Sequence, residues 1–142
     1  MTGNDSSSRT IPVLLVVANE HTRASLLATL SEHHYAPQVV SDPQEVGQFL
    51  RDQQYTAVFV DCQAVATVGA SLYSKVRVAC QICRVIFICD RTHQRHQELV
   101  KQAMELGAFA CLLAPYNDWE VLALLKPSQP HKPYKKRAAK RS

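Results

Sequence analysis

At 142 residues the chain is one domain's worth of sequence, and 46% hydrophobic with 20% charged residues is the composition of an ordinary globular protein with a real core. No apolar stretch approaches a membrane span, and residues 1–10 lack the charged start and apolar core of a signal peptide, so a cytoplasmic protein is expected. The net charge of +4 averages two unlike parts: seven of the sixteen Lys and Arg residues follow Leu125, where there is no Asp or Glu, and residues 1–125 carry nine basic against twelve acidic residues.

Residues 1–10 are polar, and their composition predicts a disordered N-terminus. Ile11–Val17 is a continuous apolar run of strand length, and Ala18-Asn19-Glu20 breaks it. A first helix is predicted over 21–34 from Ala24, Leu27, Ala28 and Leu30, ended by Tyr35-Ala36-Pro37. Gln38–Ser41 reads as a short second strand. Asp42-Pro43 then offers an N-cap with proline at the first helical position, for a second helix over 45–53.

Thr56–Asp61 is the third strand, Cys62–Gly69 a loop, and Ala70–Ala79 a helix with Leu72, Val76 and Ala79 on one face. Arg84–Cys89 is a fourth strand, and 92–106 a helix stopped by Gly107. Phe109–Leu113 is a fifth strand, and Asn117 caps a last helix over 118–125. Five strands alternating with helices predict an α/β fold, a doubly wound five-stranded parallel sheet, spanning residues 11–125. From Lys126 to Ser142 Pro, Lys and Arg dominate, and a basic, disordered tail is expected.

The third strand carries the functional question, because a run fit for burial on both faces ends in a carboxylate at Asp61. Acids at the carboxyl ends of parallel strands are site candidates, while an Asp that merely caps the following turn is the plainer alternative.

This pattern resembles the receiver domain of bacterial two-component response regulators. Asp61 falls where that family has its phosphoacceptor, Gly69 where a glycine opens the third helix, and Ala103–Ala108 with Leu112–Tyr116 mirror the family's "A…GA…LxKPF" stretch. The resemblance implies a flavodoxin-like (βα)5 fold with strand order 2-1-3-4-5, a cis bond before Pro115, and a signalling role rather than an enzyme's. The departures are equally specific. The family's acidic pair falls on Ala18 and Asn19, its lysine on Ala114, its switch hydroxyl on Cys89 and its coupled aromatic on Cys111. A hard divalent cation wants oxygen ligands, so only a weakened magnesium site of Asn19, Asp61 and the Gln63 backbone carbonyl is expected, with no other cofactor.

The reading is therefore a pseudo-receiver: a phosphorylation-independent interaction module that docks a signalling protein, either a histidine kinase or an output protein. The alternatives are a slow but working phosphoacceptor at Asp61, and nucleic-acid or anionic-surface binding through the tail, where Tyr134 is the lone aromatic. Five cysteines, Cys62, Cys80, Cys83, Cys89 and Cys111, lie in apolar segments and are expected as reduced, packed thiols. A thiol sensor among Cys62, Cys89 and Cys111 is the minority alternative. His33-His34 and His93-x-x-His96 read as solvated surface rather than metal pairs.

Overall fold

In the computed structural model, which describes residues 10–126, five parallel strands form one sheet in the order β2-β1-β3-β4-β5. The strands are β1 (Ile11–Val16), β2 (Tyr35–Val39), β3 (Ala57–Asp61), β4 (Arg84–Asp90) and β5 (Ala110–Ala114). Six helices connect and follow them: α1 (Glu20–Glu32), α2 (Val46–Asp52), α3 (Cys62–Val68), α4 (Ser71–Ala79), α5 (His96–Glu105) and α6 (Asp118–Leu125). The doubly wound architecture and strand order are as predicted. The expected N-terminal segment and basic tail lie, except for Thr10 and Lys126, outside the described residues.

The core has two layers, one on each face of the sheet. Side chains alternate across a strand, so Val58 and Val60 of β3 and Val85, Phe87 and Cys89 of β4 face one layer, with Leu72, Tyr73 and Val76 of α4. Ala57 and Phe59, with Ile86 and Ile88, face the other, which is closed by Leu26 and Leu30 of α1 and Val121 and Leu125 of α6. Every residue of β3 is buried, as a central strand with both faces covered must be. Among the described residues no helix is long and apolar enough to cross a membrane.

Several boundaries differ from the sequence reading, each for a local reason. β2 begins at Tyr35, three residues early, because His34 takes a left-handed turn (φ 69°) and its carbonyl accepts the Ile11 N–H. Pro37 is tolerated inside β2 because that strand is at the sheet edge. Asp42 and Pro43 open a 3-10 turn, Pro43–Glu45, before α2. The helix expected from residue 92 starts at His96, since Thr92 N–H and Oγ1 both donate to Asp90 Oδ1 (2.8 and 2.6 Å) and hold a turn there.

The larger correction is Cys62–Gly69, expected as a loop, where α3 starts directly at the end of β3. Its Val and Thr residues are weak helix formers, which hid it. The helix is held instead by Ala64 and Val65 packing into the core, and it ends at Gly69, whose φ of 99° favours glycine.

The cysteine expectation is corrected at one pair. Cys80, the residue capping the C-terminal end of α4, and Cys83, just before β4, form a disulfide. The turn between them brings their Cα atoms to 5.6 Å, inside the bridging range, and Cys83 is also buried in the core. Cys62, Cys89 and Cys111 are free thiols.

Candidate functional site

The carboxyl ends of β3 and β4 and the loops after β1, β4 and β5 enclose a cavity of about 400 Å³. Asn19, Asp61, Cys62, Gln63, Cys89, Asp90, His93 and Ala114 are among the residues lining it. Of the predicted site residues, the structure thus brings Asn19, Asp61, Gln63, Cys89 and Ala114 to one place. The peptide bond between Ala114 and Pro115 is cis, as expected. Cys111 lies one layer down, packed against the core below the cavity.

Asp61 is 3% exposed, and each of its carboxylate oxygens already holds a backbone N–H. Oδ1 accepts the Ala64 N–H at 2.9 Å, which makes Asp61 the N-cap of α3. Oδ2 accepts the Asn19 N–H, also at 2.9 Å, and ties the loop after β1 to the end of β3. The acid is therefore bound from both sides by the main chain. Among the described residues no Lys, Arg or His makes an ion pair with it; Arg95 and Glu98 form an ion pair on the surface.

The other expected oxygen ligands are similarly occupied. Asn19 Oδ1 accepts the Thr22 N–H at 2.9 Å and caps α1, while its own N–H serves Asp61. The Gln63 carbonyl lies within the first turn of α3 and accepts the Thr67 hydroxyl at 3.0 Å. Ala18 offers only its carbonyl, which receives Arg23 Nη1 at 3.4 Å. Asp90, at the mouth of the cavity, is held below the usual carboxylate range by the Thr92 hydroxyl and amide that donate to it. Among the described residues no cluster of three His, Cys, Asp or Glu could hold a metal ion.

The histidines singled out by the sequence do not pair. His33 Nδ1 is 2.8 Å from the Thr29 carbonyl, and His96 Nδ1 is 3.1 Å from the His93 carbonyl. His93 Nδ1 accepts the Arg95 N–H at 3.0 Å, so it serves the turn before α5 while its residue lines the cavity.

Beneath the cavity the Cys89 thiol is pushed up to about 12 by burial and by the adjacent Cys62 thiol, and burial raises Cys111 as well. Tyr73 of α4 packs in the same core layer as these three thiols, and among the described residues its buried hydroxyl has no hydrogen-bond partner. The sequence reading passed over Tyr73, although its place beside Leu72 in an amphipathic helix marked it as a core residue. Nothing in the sequence could mark the Asn19 main chain as a partner of Asp61, because that contact spans 42 positions.

No family model matches the chain, and no curated protein matches it. Solved structures do. The receiver domain of the sensor histidine kinase PA1611 from Pseudomonas aeruginosa superposes with a TM-score of 0.69 at 21% identity, over 82% of this chain and 94% of that one. A response regulator from Thermotoga maritima gives 0.69 at 19% identity, over 82% and 98%. The receiver domain of Ssk1 from Saccharomyces cerevisiae, crystallised with the histidine phosphotransfer protein Ypd1, gives 0.67 at 17%, over 82% and 87%. This chain has the receiver fold.

On a receiver fold the end of β3 is the centre of the molecule's edge, and Asp61 stands there. The PA1611 receiver domain holds a magnesium ion in its active-site cleft. In the receiver fold described here, the corresponding edge is a cavity whose acid, amide and carbonyl oxygens all accept hydrogen bonds from the chain itself.

Proposed function

We propose that this receiver fold works as a phosphorylation-independent interaction module in two-component-type signalling, with Asp61 retained as a structural link rather than a phosphoacceptor. The observation that supports this reading best is the double occupation of the Asp61 carboxylate by the Asn19 and Ala64 amides, with no ion-pairing cation on it among the described residues. A magnesium ion needs several oxygens converging on one point, and transfer to the acid needs cations that neutralise the incoming phosphoryl charge. The residues present do not fit that ion: Asn19 spends its amide oxygen on α1, and Gln63 spends its carbonyl inside α3.

The partner in this proposal is a signalling protein, a histidine kinase or an output protein. Its docking face is the one built by α5, the edge strand β5 and α6. β5 is only half buried along most of its length, and Trp119 on α6 is 66% exposed. The last helix is short, eight residues, so less of this face is helical surface. The observation on the side of a slow phosphoacceptor is that Asp61 does line a cavity with room for a phosphoryl group.

The proposal predicts the response to magnesium. Titration of the isotopically labelled chain with magnesium chloride should leave the backbone amide signals of Asn19 and Ala64 unmoved at millimolar ion. Saturable shifts of both would mean that the carboxylate exchanges these amides for a cation, and would remove the main support for the reading.

A further inference from the structure

Cys62, the first residue of α3, and Cys89, near the end of β4, directly follow matched positions on neighbouring strands. Asp61 pairs with Ile88 in the parallel register of β3 and β4, so the next residue of each chain segment is Cys62 and Cys89. Adjacent parallel strands run about 4.8 Å apart, within the Cα separation that a disulfide spans. Both side chains pack in the same core layer, that of Val58, Val60, Val85 and Phe87. Both also line the 400 Å³ cavity, Cys62 partly buried and Cys89 buried.

We propose that Cys62 and Cys89 are a peroxide-oxidisable pair that closes to a disulfide across the Asp61 cavity. The thiolate of Cys62, the one open to the cavity, attacks a peroxide oxygen. A sulfur–oxygen bond forms, the oxygen–oxygen bond breaks, and the departing hydroxide takes a proton to leave as water. Cys89 then attacks the Cys62 sulfur of the sulfenic acid. The sulfur–sulfur bond forms, the sulfur–oxygen bond breaks, and the Cys89 proton leaves with the hydroxyl group as a second water. Two thiols are oxidised by two electrons in all, and one peroxide is reduced to two waters.

The order of events follows from the surroundings. Cys89 is 1% exposed while Cys62 is only partly buried at the cavity, so Cys62 is the thiol that an oxidant reaches first and Cys89 the resolving thiol. Cys111 is also free, but it sits opposite Phe87 in the register of β4 and β5, two residues before the position of Cys89. The resulting bond would fasten the start of α3 to the end of β4, so the cavity would respond to an oxidant at the edge where Asp61 sits.

The full chain is treated with a few equivalents of hydrogen peroxide, its remaining thiols are alkylated, and it is digested with trypsin without reduction. Cleavage after Lys75, Arg77, Arg84 and Arg91 puts Cys62, the Cys80–Cys83 pair and Cys89 on separate peptides. The expected product is the Cys62 peptide joined to the Cys89 peptide, lighter by two hydrogens than their sum, with Cys111 alkylated. In Cys89→Ala, Cys62 should instead be trapped by a sulfenic-acid reagent. Alkylation of both Cys62 and Cys89, a link from Cys62 to Cys111, or Cys62 sulfinic acid beside alkylated Cys89 in the unsubstituted chain would each overturn the proposal.

Discussion

Asp61→Ala should lower the stability of the domain by about 2 kcal/mol, read as an earlier urea midpoint with an unchanged slope. Two terms act in that direction. The substitution removes the N-cap of α3, a change that costs about 1 kcal/mol in other helices, and it removes the acceptor of the Asn19 N–H, a charge-assisted bond worth about 1.5 kcal/mol or more. One term opposes them: the substitution also takes away a nearly buried carboxylate that has no cation within ion-pair distance among the described residues. The two bonds should win, because both are 2.9 Å long and both attach the acid to main chain that the fold must hold in place. Water entering the cavity can satisfy part of what is lost, which keeps the figure near the lower end of the sum.

The sign of that change separates two accounts of the acid. An acid kept for chemistry, at the expense of stability, gives a more stable protein when it is removed. An acid kept as a clamp between the loop after β1 and the first turn of α3 gives a less stable one. Asp61→Asn should fall between, since one of its two side-chain atoms can still accept while the other now faces an N–H donor with a donor.

Tyr73→Phe should stabilise the domain by about 1 kcal/mol, an unusual direction for a change in a packed core. The Tyr73 hydroxyl is buried with no hydrogen-bond partner among the described residues, and the three thiols of its core layer are weak partners for a phenol. Burial, with the nearby sulfurs of Cys111, Cys62 and Cys89, raises the phenol's pKa, so the group stays neutral and gains nothing by ionising. Phenylalanine keeps the ring, including its tilted contact with Phe87 at 6.3 Å between centroids, and discards the unsatisfied oxygen. A loss of stability on this substitution would mean that the hydroxyl is bonded in solution, with a thiol or a trapped water as its partner.

How much of this was legible in the sequence depends on the range of the interaction concerned. β1, β3, β4 and α6 could be read closely, because continuous apolar runs and the Asn117 cap are local signals. α3 could not, because Val65, Thr67 and Val68 argue against a helix, while its cap and its packing depend on Asp61 and the core. The start of β2 was masked by Pro37, which argues against a strand unless that strand is known to lie at an edge. The disulfide between Cys80 and Cys83 was equally hidden, since a CxxC spacing does not say whether the intervening turn brings the two sulfurs together.

The site shows the same division. Asn19, Cys89 and Ala114, which the strand ends place near Asp61, all line its cavity. What the carboxylate does was left open between cap and site, and the geometry supports the cap with an addition that no local signal carried. Asp61 holds α3 through Ala64, and at the same time it holds the loop after β1 through Asn19. Asn19 has a similar double use, with its side chain capping α1 and its backbone N–H given to Asp61. A metal set counted by residue type misses this, because the oxygens are present but already engaged.

The most direct measurement is the intact mass of the chain after incubation with an acyl-phosphate donor and magnesium, alongside Asp61→Asn. If Asp61 is a structural clamp, the mass is unchanged in both proteins. A stoichiometric gain of one phosphoryl group in the unsubstituted chain, absent from Asp61→Asn, would contradict the account and make this receiver fold a working phosphoacceptor.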